Sequence, residues 1–345
     1  MSEKARSVDR RTFIKRAAAG VGVAMAGCRT AGAARSGAQW VDLQVNGYAG
    51  VSFTDACLTE DAVLKAVVAL RDGGTEGFLA TVTTSPGEMA VQCLRTIRRA
   101  MKKHAECEKR IIGFHMEGPF ISSVPGYSGA HDKRLVRDCD TAEYDRWMDA
   151  SDGMVRIVTI DGDRKNAVEF TRHATACGTV VSLGHTTTWK TDDLNRLADA
   201  GAKTVTHLGN GLPNELPRHH NLIWNALANP RYMPMFISDG FHLPKELLHC
   251  LVRACPIDRL VTVSDCTFVG GLPPGRYEKN GTVAVLEPDG FLRSPMTDSL
   301  YGSACLIGDC VKTLMSPEVG LSLADCRKVA RDNPLRLIGM PSWEA

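Results

Sequence analysis

Apolar residues recur along the chain in eight short runs of strand length. They fall at Trp40–Val45, Phe78–Val82, Ile111–Glu117, Val155–Ile160, Thr179–Leu183, Thr204–His207, Met235–Ile237 and Leu260–Ser264. Between them the apolar positions take a helical spacing. In Asp61–Arg71, for example, Ala62, Leu64, Val67, Val68 and Leu70 share one face, and the pattern stops at Gly73-Gly74. Further helices are expected at 86–104, 141–148, 164–177, 191–200 and 245–253. Strand and helix in regular alternation predict an α/β fold, a (β/α)8 TIM-type barrel with its chemistry at the C-terminal strand ends. Gly275–Leu292 interrupts the alternation, and GTVAVLEPDGFL reads as a hairpin with a Pro-Asp-Gly turn. Helices resume near Ala304–Met315 and Leu323–Arg331.

Four of the runs lead to a polar residue, at their last position or one or two beyond it: Glu117, His185, His207 and Asp265. On a barrel these ends meet at one mouth. A carboxylate closing a buried strand, followed by Gly118-Pro119, is costly unless its charge has a partner, and a cation is the economical one. One carboxylate and two imidazoles suit a catalytic Zn²⁺, or a similar divalent ion such as Fe²⁺, with positions left for water and substrate. Asp265 beside such a metal can take a proton from water and later deliver it to a leaving amine. The plainer reading makes the histidines hydrogen-bonded surface groups and Asp265 a helix cap. His242 and Arg218, the latter beside His219 and His220, suit an anionic or polyhydroxyl ligand, or else a solvated basic loop.

Composition narrows this little. The 345 residues are 44% hydrophobic and 23% charged, enough for one large α/β barrel, and a net charge of +2 makes no electrostatic case for nucleic acid. Beyond Cys28 eleven cysteines are scattered without a C-x-x-C pair, which argues for core residues and against a disulfide framework.

The N-terminus carries its own signals. Asp9-Arg10-Arg11-Thr12-Phe13-Ile14-Lys15 resembles a twin-arginine export motif. The apolar run after it, Ala17–Gly27, is far shorter than the ~20 residues of a spanning helix. It ends at Met25-Ala26-Gly27-Cys28, which resembles a lipobox with Cys28 as the lipidated residue. Residues 1–28 are therefore expected to be a signal peptide, 29–39 a tether, 40–339 the barrel and 340–345 a tail. A periplasmic or membrane-anchored location follows.

The motifs HMEGPF, SLGHTTT, VTHLGNGLPN, ISDGFHLP and VTVSD, in this order, resemble the N-acetylglucosamine-6-phosphate deacetylases of the amidohydrolase superfamily over about Val41–Gly339. The resemblance implies that Glu117, His185 and His207 bind the metal and that Asp265 is the general base and acid. It places Asn210, Gly211, Arg218 and His242 around the sugar, with Arg218 at the phosphate, and extends the substrate contacts to His131. Where the superfamily often has His-x-His for a second metal, Gln44 and Asn46 stand here. Amides are weak zinc ligands, so a single metal is expected. Relatives flank the barrel with strands that build a β-sandwich. Here only the tether precedes Val41 and Met340–Ala345 follows Gly339, so that domain is expected to be reduced or absent. The barrel face it covers would need another partner, and a homodimer is expected. The implied reaction is hydrolysis of the acetamide of N-acetylglucosamine-6-phosphate. Two alternatives stay open: deacetylation of an unphosphorylated N-acetyl sugar or cell-wall fragment, and a non-catalytic glycan-binding surface lipoprotein.

Overall fold

The structure, a computed structural model, describes residues 40–279, 281–295 and 299–343. The twin-arginine motif, Cys28, the tether 29–39 and residues 344–345 lie outside the described residues. Among the described residues no helix is long and apolar enough to cross a membrane, and the eleven cysteines beyond Cys28 are free thiols.

Eight strands follow one another in parallel: β1 (Trp40–Val45), β2 (Thr75–Thr83), β3 (Ile111–Glu117), β4 (Val155–Ile160), β5 (Val180–Leu183), β6 (Thr204–Val205), β7 (Met233–Ile237) and β8 (Val261–Val263). This is the expected TIM-type barrel. The seam between β8 and β1 is thin: a bridge pairs Val45 with Cys266, and Asn46 N donates to Cys266 O at 2.8 Å. Helices α1 (Glu60–Asp72), α2 (Gly87–Lys103), α4 (Thr141–Ala150), α5 (Ala167–Ala176), α6 (Thr191–Ala200) and α8 (Lys245–Ala254) match the helical spacing closely. The short helices α3 (Ala105–Arg110) and α7 (Leu222–Ala228) were not expected, since one or two turns carry no readable period. After β8 come α9 (Ile307–Leu314), α10 (Leu323–Arg327), a π turn Lys328–Asp332 and α11 (Asn333–Leu337).

The hairpin expected in 275–292 is part of a larger unit. Strands β9 (Gly275–Lys279), β10 (Thr282–Leu286), β11 (Leu292–Ser294) and β12 (Ser299–Leu300) form an antiparallel sheet. It has its own small core of Phe268, Val269, Ala284, Leu286 and Leu292. The Pro-Asp-Gly turn joins β10 to β11 as read, with Leu286 opposite Leu292. The other antiparallel sheet among the described residues is the short pair Gly47–Tyr48 and Val51–Ser52.

Two register shifts aim side chains into the barrel. Along β1, Asp42 faces Phe78 but Val45 faces Ala80, so β1 carries one extra residue. A bulge reverses the in–out alternation. Val41 and Leu43 accordingly join the inner apolar cluster while Val45 joins the outer one, and Gln44 and Asn46 turn to the mouth. A second shift, Phe78–Ile111 followed by Leu79–Gly113, does the same for β3. Ile112 is inner, Phe114 and Met116 are outer, and His115 and Glu117 face inward.

The inner cluster also takes in Leu335, Leu337 and Ile338 of the C-terminal segment, with Trp343 against Gly77 near the start of β2. The outer core is aromatic where the site needs support. Phe120, just past Glu117-Gly118-Pro119, stacks on Trp147 of α4 with centroids 5.2 Å apart and meets Phe170 of α5 edge-on, also at 5.2 Å. Trp147→Ala should therefore cost about 3–5 kcal/mol, read as a fall in thermal midpoint, and Trp147→Phe much less. An unchanged midpoint in the alanine variant would refute this packing role.

Candidate active site

Glu117 is the last residue of β3, as expected. His185, His207 and Asp265 are not strand residues. Each lies two positions beyond its strand, after Leu183, Val205 and Val263. All three are in the left-handed region, with φ of 48°, 30° and 53°, and they are half of the six non-glycine residues with positive φ among those described. This conformation costs roughly 1 kcal/mol per residue. It ends the ladder just before the residue, so the side chain rather than the backbone is presented to the mouth. Bonds from neighbouring elements hold these turns. Thr206 N donates to Leu183 O, Leu208 N to Met235 O and Ser303 N to Asp265 O, all at 2.7–2.9 Å. Asp161, at the end of β4, accepts from Thr186 Oγ1 at 2.6 Å and Thr187 N at 3.1 Å and fixes the chain after His185.

The three donors converge. Glu117 Oε1 is 2.9 Å from His207 Nε2 and 3.4 Å from His185 Nε2, and the two Nε2 atoms are 3.1 Å apart. All three residues are buried, and the group is placed to hold a metal ion. Burial alone would raise the Glu117 carboxyl; the His185 and His207 rings packed against it outweigh that and hold the group well below the usual carboxylate range. His185 Nδ1 sits 2.7 Å from Tyr127 O. A carbonyl only accepts, so Nδ1 carries the proton and Nε2 keeps its lone pair toward the other donors. The residues thus fit a divalent cation: two imidazoles and a carboxylate, with one imidazole fixed in the ligating tautomer.

Small residues and a polar floor frame this group. A Cβ on Gly211 would lie 2.7 Å from His185 Nδ1, and one on Gly129 2.9 Å from His185 Cε1. Only glycine lets both loops close on the ring. His131 meets the same ring edge-on, with centroids 4.5 Å apart. Beneath lies a chain of buried side chains, His115 Nε2 to Thr159 Oγ1 at 2.7 Å, Thr159 to Thr206 at 2.6 Å and Thr206 to Ser182. His115 Nδ1 is held by Leu43 O at 3.0 Å, and burial lowers this histidine to about 4, so it is neutral.

Gln44 and Asn46 face the carboxylates. Gln44 Nε2 donates to Glu117 Oε1 and to Asp265 Oδ1, both at 3.0 Å, and Asn46 Nδ2 donates to Asp265 Oδ1 at 2.6 Å. Burial, together with the charge of Glu117, pushes the Asp265 carboxyl up to about 8. The structure therefore brings together Glu117, His185, His207, Asp265, Gln44, Asn46, His131 and Gly211. Asn210 follows His207 in a turn, its N bonded to His207 O at 2.8 Å. His242 is held in a separate pair, Nδ1 to Asp239 Oδ2 at 2.7 Å. Arg218 is exposed on the loop after β6, its carbonyl accepting from Trp224 Nε1, and it makes no bond to the buried group.

Sequence reasoning missed Asp161, Asp239 and Tyr127. Asp239 had a signal, since it lies two positions past β7, the same offset as His185, His207 and Asp265. Tyr127 acts through its carbonyl and had none.

No family model matches the chain. Bovine N-acetylglucosamine-6-phosphate deacetylase is 31% identical over 318 residues, covering 87% of this chain and 74% of the relative. An N-acetylgalactosamine-6-phosphate deacetylase of Escherichia coli O157:H7 is 27% identical over 309 residues, covering 87% and 77%. The crystal structure of N-acetyl-D-glucosamine-6-phosphate deacetylase from Mycobacterium smegmatis matches with a TM-score of 0.80 at 28% identity, over 88% of this chain and 78% of that one. The chain belongs to the N-acetylglucosamine-6-phosphate deacetylase family. Its barrel is that of the amidohydrolase superfamily, as the motifs led us to expect.

Gly211→Ala puts a methyl group against the ring that must ligate. It should weaken metal affinity on the order of tenfold, measured by chelator competition. Wild-type affinity in this variant would show that the ring tolerates displacement.

Proposed function

We propose that the chain is a metal-dependent hydrolase that cleaves the acetamide of N-acetylglucosamine-6-phosphate, giving glucosamine-6-phosphate and acetate. The observation that carries this reading is the buried Glu117–His185–His207 group, with Asp265 linked to it through Gln44, in a chain of this family. Glu117, His185 and His207 would hold one divalent ion, Zn²⁺ by the character of the donors. When bound, the ion supplies Lewis acidity, polarising the acetamide carbonyl and bringing the pKa of a water toward ~7.

The chain's own residues do the rest. Gln44 and Asn46 both donate to Asp265 Oδ1, which turns Oδ2 to the proton in transit. Asp265 accepts the proton of the attacking water as the new C–O bond forms. It then returns that proton to the sugar nitrogen as the C–N bond breaks, so amide and water become acetate and amine. A carboxyl raised by burial is a stronger base than an ordinary aspartate and remains a usable acid near neutral pH. The substrate is a small molecule; Arg218 and His242 are assigned to its phosphate and hydroxyls, and His131, Asn210 and Gly211 to the wall beside the ligating ring. The same reading includes a homodimer. Export and lipidation at Cys28 are supported by residues 9–28, which makes an exported enzyme of a family whose named substrates are sugar phosphates.

Acetate release should be fastest on N-acetylglucosamine-6-phosphate, slower on its galacto epimer and slowest on N-acetylglucosamine. No release from any of them, nor from a muropeptide sugar, by metal-loaded protein would leave only a glycan-binding role. Chelation should abolish activity, and added Zn²⁺ should restore it. Asp265→Asn should lower kcat by roughly 10³-fold with metal still bound, and near wild-type turnover would remove Asp265 from the mechanism. Glu117→Gln should lose metal and activity together.

A further inference from the structure

Asp42 is the one charged residue of β1, 1% exposed, and it contacts no cation. The bulge in β1 leaves it pointing away from the mouth, so it is not part of the site described above. Its carboxylate spends its acceptors across the seam where the barrel closes. Oδ1 accepts from Gln44 N at 3.2 Å and from Ser264 N at 3.2 Å, and Oδ2 accepts from Ser264 Oγ. Elsewhere adjacent strands are joined by backbone ladders, whereas among the described residues the β1–β8 seam has only the Val45–Cys266 bridge.

The partners of Asp42 are the neighbours of the reacting groups. Ser264 precedes Asp265. Its Oγ accepts from Cys266 N at 3.1 Å and its carbonyl accepts from Ser303 Oγ at 2.6 Å. Asp265, at φ 53°, is therefore held by bonds on both sides, and on the N-terminal side two of them, from Ser264 N and Oγ, run to Asp42. Gln44 N, fixed by the same carboxylate, orients the amide that bonds Glu117 and Asp265. One buried carboxylate thus reaches the base through its backbone and through its amide donor.

We propose that Asp42 is a positioning residue: its carboxylate stands in for the backbone pairing absent from the β1–β8 seam and thereby sets the place of Asp265 and of the Gln44 amide. Burial pushes this carboxyl up to about 6 against the pull of its three donors. A charge retained under that penalty is expected where the acceptor geometry is needed. Asparagine keeps one oxygen for the two N–H donors and can give its own N–H to Ser264 Oγ, so it should substitute in part.

The proposal rests on Asp265 being the base. In the metal-loaded full chain, well below its unfolding temperature, Asp42→Ala should lower kcat about a hundredfold, the cost of a misplacement near 1 Å. Metal content should be unchanged and KM within about threefold, while Asp42→Asn should recover most of kcat. A solely structural residue would instead lower the thermal midpoint and leave kcat per folded, metal-loaded molecule intact; that result overturns the proposal. If Asp42→Ala does not fold, Ser264→Ala decides, since it removes the Oγ link to Asp42, together with the bond from Cys266 N, and leaves the Asp42 carboxylate in place. It should lower kcat at constant KM, and wild-type kcat there overturns the proposal. Wild-type turnover in Asp265→Asn defeats the functional reading; an inactive Asp265→Asn beside a fully active Asp42→Ala defeats only this one.

Discussion

Two buried carboxylates share one amide. Gln44 Nε2 lies 3.0 Å from Glu117 Oε1 and 3.0 Å from Asp265 Oδ1, so like charges approach each other across a single neutral donor. In a low-dielectric interior that arrangement is costly unless the charges take different roles. Here they do. Glu117 is surrounded by imidazoles and held ionised, while Asp265 has amide donors only and is pushed up. Two carboxylates on one amide are thus driven apart in proton affinity, Glu117 by the imidazoles beside it and Asp265 by burial and the charge of Glu117.

The frame that permits this is made of local exceptions to a regular fold. A barrel strand alternates inward and outward, and without the extra residue in β1 either Leu43 or Gln44 would be misplaced. The bulge lets apolar residues fill the barrel below and amides line it above, on one short strand. Likewise a ladder carried through His185 or His207 would tie up the backbone and turn the ring along the strand. Left-handed turns release both, and the energy stored in them is repaid by bonds from the next strand and, for His185, from Asp161.

Much of this was legible. The bounds of β1 and β4 match the apolar runs residue for residue, because each run is closed by polar or small residues. Glu117, His185, His207 and Asp265 could be singled out because a polar residue after a buried run has few structural uses. What escaped detection depends on information that no single position carries. β6 shrank to Thr204–Val205 because His207 leaves the ladder, which depends on Met235 accepting from Leu208. The tautomer of His185 depends on a carbonyl in a loop 58 residues away. Arg218, singled out by its chemistry and by its place in the family motifs, lies exposed on the loop after β6 and makes no bond to the buried group, so the structure does not test its role.

The seam joins stability to chemistry. Gln44 and Asn46 reach Asp265 across 221 and 219 residues, and Asp42 reaches Ser264 across 222, so the surroundings of Asp265 are assembled only when the first strand meets the last. Those bonds are also most of what closes the barrel there. Opening of the weakest edge is the least costly local fluctuation a protein can make. In this barrel such an opening would separate Asp265 from Glu117 and Gln44 while the other seven strand pairings remain intact. Side-chain bonds at the closure therefore serve two ends at once: they complete a cylinder that backbone pairing leaves unfinished, and they make a closed cylinder the condition for a correctly placed Asp265.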